Sequence, residues 1–299
     1  MSSDASTSRG VDLHESNGSG WMIRELLHDA GALTVIVPAF NEERRLPRAI
    51  HDIAGFLRSQ DAEFEIIVVD DGSRDGTADT VAAFQAQDDH LRLMRLPQNQ
   101  GKGAAVKAGM VGARGDVLLF TDADQSTSID QLPRLLFPLL RSGFDIAIGS
   151  RAAKGARIVT GQVWYRQKLG KTFGVLAKLL LVRGYADSQC GFKCFRREAA
   201  LAIFPYLTSN TALFDMEVLL LAARRGFRVA EVPVVWRHDP DSRLVYDLRK
   251  ALAIVRELLR LRREWKVVLP ARADVSAWSL NGSGPVDEHR VCQEHHLTR

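Results

Sequence analysis

Between residues 32 and 124 the chain alternates two hydrophobic patterns. Runs rich in apolar residues stand at "ALTVIVPAF" (32–40), "FEIIVVDDGS" (64–73), "LRLMRLP" (91–97) and "DVLLFTDAD" (116–124). Between them the apolar positions recur at helical spacing. Leu46, Ile50, Ile53 and Leu57 share one face of a predicted helix over 41–60. Two more helices are predicted over 75–87, capped by Asp75 or Thr77, and over 101–113. Strands that are apolar throughout and alternate with helices imply a parallel sheet covered on both faces. Ligands of such sheets bind at the carboxyl ends of the strands. The polar residues there, Asn41/Glu42, Asp70/Asp71 and Asp122/Asp124, are therefore expected to converge on one edge.

Beyond residue 125 the alternation loosens. Helices are predicted over 129–143, 163–183 and 214–226, strands over 145–151 and 228–238, and a short strand followed by a helix over 187–204. The first 20 residues and the last 30 are polar and read as disordered tails. The division expected is a mostly disordered tail (1–30), a main domain (31–245), a basic amphipathic helix (246–268) and a second disordered tail (269–299).

Composition narrows this little. Of 299 residues 46% are apolar, enough for a substantial core, and a formal charge of +4 is too small for a nucleic-acid packer. Three cysteines, an odd number, argue against a disulfide framework; Cys190 and Cys194 read as buried thiols. His289, Cys292, His295 and His296 read as solvated tail residues. No apolar run reaches the ~20 residues that span a bilayer, so a soluble or membrane-surface protein in a reducing compartment is expected.

The candidate chemistry sits in "LLFTDADQST" (118–127). Two carboxylates at the end of a buried strand repel each other unless a partner offsets the charge. Mg²⁺ or Mn²⁺, which take carboxylate and phosphate oxygens together, would do so. Three other motifs fit poorly. "GKGAAV" has Val106 at the third glycine of a dinucleotide fingerprint, and "GKT" (170–172) has Tyr165 where a phosphate-binding loop needs glycine. "DADQS" has Ser126 where haloacid-dehalogenase-type phosphatases have threonine, and it follows a fourth strand instead of a first, so such a phosphatase stays as the distant alternative.

Taken in order, "VIVPAFNEE", "IIVVDDGSRDGT", "NQGKGAAVKAGM", "LLFTDADQS", "GSR" and "DSQCGFK" resemble the signatures of family-two nucleotide-sugar glycosyltransferases of the GT-A fold. "DSQCGFKCF" with "FDMEVLLLA" most resembles the dolichyl-phosphate β-glucosyltransferase branch, beside the dolichyl-phosphate mannose synthases. The resemblance implies an α/β, Rossmann-like fold with a mostly parallel central sheet flanked by helices. It also implies roles. Pro38, Phe40 and Glu42 match the donor-pocket turn, and Asp71, with Asp70, the nucleobase carboxylates. Asp122 and Asp124 match the metal and diphosphate site, with Gln125 or Ser126 beside it, and Lys102 a phosphate contact. Arg151 matches a basic residue facing donor sugar or acceptor, and Gln189, Cys190, Gly191, Phe192 and Lys193 the acceptor-side segment.

The reaction so implied is an inverting, metal-dependent transfer of a hexose to a polyprenyl or dolichyl phosphate. UDP-glucose is favoured as donor over GDP-mannose. With a hydroxyl acceptor, the alternative, a carboxylate near Asp215/Glu217 is needed as base. An acceptor phosphate needs none, and Arg151, Lys193 and Arg243 are then the groups expected to offset repulsion between two phosphates. For membrane contact, 247–266 offers an apolar stripe (Leu248, Leu252, Val255, Leu258, Leu259), a basic face and Trp265. The expectation is peripheral attachment to an anionic surface on the cytoplasmic side. The same helix packed on its own domain is the competing reading.

Overall fold

The computed structural model describes residues 20–28, 30–159, 184–211 and 213–238, with Arg256, Glu257 and Arg260. All of them fall in one compact unit, Ser19–Ala273. The predicted helix 163–183, residues 1–19 and 269–299 of the expected tails, Arg243 and most of 247–266 lie outside the described residues.

The opening α/β alternation forms as patterned. β1 (Leu33–Ala39), β2 (Phe64–Asp70), β3 (Leu91–Arg95) and β4 (Val117–Thr121) alternate with α2 (Leu46–Ser59), α3 (Thr77–Gln85) and α4 (Lys102–Gly112). α5 (Leu132–Arg141), β5 (Ile146–Ser150), the short β6 (Arg157–Ile158), β7 (Phe192–Arg196) and α6 (Arg197–Ile203) follow. α7 (Phe214–Arg224), β8 (Val229–Pro233) and β9 (Val235–Trp236) complete the order.

Seven strands make one sheet in the order β3-β2-β1-β4-β7-β5-β8, and β6 pairs with β9 in a separate ribbon. The β3-β2-β1-β4 half is parallel, as is β5 with β8. β7 runs antiparallel to both neighbours, which periodicity did not indicate. α4, α6 and α7 cover one face over Ile36, Val69, Phe120, Ile148 and Phe195. Val35 and Val37, pointing the other way, are just as buried, beneath the face formed by Leu46, Ile50, Ile53 and Leu57 of α2.

Four local expectations are corrected. The first folded helix is α1 (Gly20–Leu27), inside the expected tail, because Ile23, Leu26 and Leu27 form an apolar face that is buried. α2 begins at Leu46, not residue 41, because Asn41 takes a left-handed φ of 57° and residues 41–45 turn. The N-cap position of α3 falls between the two expected residues, and Asp75 serves the first helical amide from one position ahead. Gly76 is the N-cap residue, the Asp75 carboxylate accepts from the Thr77 amide (3.1 Å), and the Thr77 hydroxyl accepts from the Glu42 amide (2.8 Å). The strand over 228–238 divides after Pro233, where the chain leaves the main sheet for β9.

Candidate active site

β4 stops at Thr121, so Asp122 and Asp124 stand in the turn just past the carboxyl end of a central strand. Positions two apart share a face of an extended chain, and the charge of Asp122 acts on Asp124. Gln125 takes the left-handed conformation (φ 49°), and its amide and side chain both donate to the Asp122 carbonyl, at 3.1 and 2.9 Å. Ser126 donates its amide to Asp124 Oδ1 (2.9 Å).

Lys102, the first residue of α4, brings Nζ to 2.6 Å from Asp122 Oδ1. Burial disfavours its charge, but Asp122, Asp215 and Asp124 outweigh that and hold its pKa above the ordinary lysine range. Burial, then the charge of Asp122, pushes the Asp124 carboxyl upward. Burial and the neighbouring Asp122 charge both disfavour an ionised Asp124, and the hard oxygen donors of the two carboxylates suit a divalent cation. Among the described residues no group of three or more metal-ligating side chains forms. A cation held by Asp122 and Asp124 would take its other ligands from bound phosphate oxygens and water.

Gly191 explains why "DSQCGFK" has its glycine. A Cβ there would lie 2.1 Å from Asp122 Oδ2. The antiparallel register Thr121↔Phe192 sets this approach by laying the start of β7 beside the end of β4. Cys190 is buried, with Sγ 3.8 Å from the Thr127 hydroxyl, and burial pushes its thiol up to about 11. Cys194 is buried likewise.

Asp70 and Asp71, at the end of β2, are both buried. Asp71 holds the turn ahead of α4, accepting from the Gln100 amide (2.7 Å), the Gly101 amide (2.8 Å) and Asn99 Nδ2 (3.0 Å). Gly101 there has φ 103°, and an added Cβ would meet the Asn210 carbonyl at 2.4 Å. Asp71 therefore fixes the loop that delivers Lys102. Asp70 accepts from the Ser73 amide (2.9 Å) and lies 3.2 Å from Arg95 Nε, without hydrogen-bond geometry on that oxygen. The Asn41 amide donates to Ser73 Oγ (2.9 Å) and the Arg74 amide to Asn41 Oδ1 (2.9 Å), lacing the β1 and β2 ends together. Phe40 is 39% exposed on this edge, Pro38 is half-buried, and Glu42 lies 3.3 Å from Arg45.

Lys193 departs from expectation. It is fully buried, donating to the Asp215 carboxylate and to the Cys190 carbonyl (2.6 Å), with its ammonium 5.3 Å from the Phe120 ring centre. It is a buried counter-ion, because its strand position points into the α7 face and not toward solvent. Asp215 is correspondingly engaged. Burial raises its pKa against the pull of Lys193 and Lys102. Glu217 is also committed, accepting from the Thr208 and Ser209 amides (3.1 and 2.7 Å). Neither acid stands as a free base.

Arg151 follows β5 and is gripped by Asp187. Its Nε, Nη2 and amide donate to that carboxylate at 2.6, 2.9 and 3.0 Å. Glu231 of β8 holds Asp187 in turn, accepting from the Ala186 and Asp187 amides at 2.9 and 2.7 Å. Asp187 also accepts from the Gln189 amide (3.1 Å), which fixes Gln189 beside it. Sequence reading passed over Asp187 and Glu231. The only trace of the first was its place at the head of "DSQCGFK", and Glu231 left none.

Comparison with known proteins bears on the family and the fold. The model of glycosyl transferase family 2 matches residues 34–204. A dolichyl-phosphate beta-glucosyltransferase of Dictyostelium discoideum is 35% identical over 241 residues, covering 77% of this chain and 73% of its own length. One from Drosophila melanogaster is 38% identical, over 71% of this chain and 69% of its own. One from Trichomonas vaginalis is 39% identical, and the match spans 71% of this chain and 65% of that relative. Among solved structures, glucosyl-3-phosphoglycerate synthase from Mycobacterium tuberculosis in complex with Mn²⁺ and UDP-glucose superposes with a TM-score of 0.62. It is 19% identical and covers 85% of this chain and 86% of its own. That likeness is one of fold, the mostly parallel GT-A sheet. A phosphatase reading of "DADQS" has no support left, and the chain belongs to glycosyl transferase family 2.

Proposed function

We propose that this glycosyltransferase moves glucose from UDP-glucose to a dolichyl or related polyprenyl phosphate, with inversion. The names of its relatives support the product class. The observation that carries the choice of acceptor is the engagement of Asp215. A hydroxyl acceptor needs a free base, and the acids at that position are tied to Lys193 and to the 208–209 backbone. A phosphate acceptor is already anionic and needs no proton removed.

In this reading an oxygen of the acceptor phosphate attacks the anomeric carbon from the face opposite the diphosphate. The bond from that carbon to the diphosphate oxygen breaks, UDP leaves, and the configuration inverts. A divalent cation, Mg²⁺ or Mn²⁺, held by Asp122 and Asp124 would offset charge on the leaving diphosphate. Lys102, at the amino end of α4, adds a cation and a helix N-terminus beside the same oxygens. Asp70, Asp71, Pro38, Phe40 and Glu42 shape the nucleotide side, Asp71 acting through the 99–101 turn it holds. Arg151, aimed by Asp187, faces the acceptor with Gln189, while Lys193 acts from beneath by neutralising Asp215. The domain 31–245 is the catalytic unit, attached peripherally to the cytoplasmic membrane face. No helix among the described residues is long and apolar enough to cross a membrane.

The test is transfer of labelled sugar to dolichyl and undecaprenyl phosphate from UDP-glucose and GDP-mannose in parallel, with Mg²⁺ or Mn²⁺. Glucolipid formed from UDP-glucose alone, and abolished by Asp124→Ala or EDTA, is expected. Product from GDP-mannose alone would overturn the donor. Absence of lipid product with donor binding intact would overturn the acceptor.

A further inference from the structure

The β6–β9 ribbon stands apart from the main sheet and is chemically unlike it. Ile158 and Val159 are 57% and 55% exposed, the two largest exposures among aliphatic side chains in the described residues. Lys154, Arg157 and Arg237 are exposed around them. The described stretches 151–159 and 232–238 contain no acidic residue; Glu231, which is buried, precedes the second and Asp239 follows it. An apolar tip with the exposed Lys154, Arg157 and Arg237 beside it and Trp236 behind it combines features that bind an anionic bilayer surface. A protein partner would need acids and a complementary apolar pocket; a phospholipid surface offers both charge and hydrocarbon without shape matching.

The ribbon is also tied to the site. The Arg237 amide donates to the Ser126 carbonyl (2.8 Å), two residues past Asp124, and the Val159 amide to the Trp236 carbonyl (2.9 Å). The Arg151 guanidinium lies 5.7 Å from the Trp236 ring centre. A membrane touching Ile158 and Val159 is therefore held beside Arg151 and the Asp122/Asp124 turn.

We propose that this ribbon is the membrane-contacting element of the catalytic unit, docking on anionic phospholipid so that an acceptor phosphate at the surface meets Arg151. This rests on the lipid-phosphate reading above. It differs from the expectation for helix 247–266. The residues described from that segment hold the protein's own loop instead: Glu257 accepts from Thr211 Oγ1 (2.8 Å) and Arg260 donates to Thr208 Oγ1 (3.3 Å).

The test is sedimentation of the full chain with vesicles of phosphatidylcholine, with and without phosphatidylserine. Ile158→Thr/Val159→Thr keeps β-branched side chains in the ribbon while removing its apolar tip. Lys154→Gln/Arg157→Gln removes two cations and is expected to weaken binding to anionic vesicles about 30-fold, from about fivefold per cation. Both variants are expected to keep wild-type turnover on a short, water-soluble prenyl phosphate and to lose it on long-chain acceptor in vesicles. Wild-type binding that neither variant weakens would overturn the ribbon and return the role to helix 247–266. Absence of wild-type binding to anionic vesicles would overturn it as well. Failure of the short-chain reaction in the wild type would overturn the proposed reaction, and vesicle binding would still decide the ribbon.

Discussion

Asp187 grips Arg151 side-on, with its two carboxylate oxygens accepting from Nε and Nη2 at 2.6 and 2.9 Å, and Glu231 holds the backbone of Asp187 from below. A bidentate guanidinium–carboxylate pair fixes direction as well as charge. Asp187 is thus a positioning residue for Arg151. Asp187→Asn keeps the shape but removes the charge and one acceptor. The expected outcome is a 10- to 100-fold loss of kcat/KM for the acceptor, of the order measured for losing a charged hydrogen bond. Donor affinity, measured by UDP titration, is expected to stay within about twofold.

The same pair sets an acid limit on stability. Burial alone would raise the Asp187 pKa, but the hydrogen bonds and charge of Arg151, with the Gln189 amide, outweigh it and bring it to about 2. A depressed carboxylate stabilises the fold above its unfolded value and loses that contribution as pH falls through the folded value. Between pH of about 4 and 2 the wild type is therefore expected to lose on the order of 2 kcal/mol that Asp187→Asn never had. Urea unfolding across that range checks it, as the two stability curves should converge toward pH 2.

Lys193 and Asp215 form a buried pair, and breaking such a pair costs more than replacing it. Lys193→Met leaves an uncompensated carboxylate and is expected to destabilise by about 3–5 kcal/mol. Lys193→Met/Asp215→Leu should recover most of that in thermal unfolding. A double variant that is stable and active would mark the pair as structural, and one that is stable and inactive would place Asp215 on the donor sugar.

Gly191→Ala tests the approach of β7 to the acidic turn. Its Cβ would fall 2.1 Å from Asp122 Oδ2, so the carboxylate must move. Overpacking of this kind costs about 1–3 kcal/mol. Binding of Mn²⁺ with UDP, followed by calorimetry, is expected to weaken at least 10-fold while the far-ultraviolet spectrum stays unchanged.

Removing Lys102 isolates its charge. Lys102→Met is expected to lower the melting temperature in EDTA more than in Mn²⁺ with UDP, because a cation at Asp122 and Asp124 replaces the missing ammonium. Equal lowering in both conditions would mean that Lys102 does not offset that pair.

What the sequence by itself determined was local. Short unbroken apolar runs such as Val35–Val37 and Ile66–Val69, alternating with helical spacing, read as strands buried on both faces, and Leu46, Ile50, Ile53 and Leu57 read as the core face of a helix. The strand ends of β1, β2 and β4 carry the polar residues of the candidate site, and the pairing of Asp122 with Asp124 was legible in the sequence. Even α1 was written in Ile23, Leu26 and Leu27, though eight residues beside a polar tail are too few to read with assurance. The tertiary structure decided which charges meet. Period-two alternation does not encode strand direction, so nothing local set β7 antiparallel between β4 and β5. That one choice buries Lys193 against Asp215, presses Gly191 onto Asp122 and brings Asp187 to Arg151, 36 positions away in the chain. Such pairings are set by sheet order, and a charged residue's partner across the fold leaves no mark in its own neighbourhood.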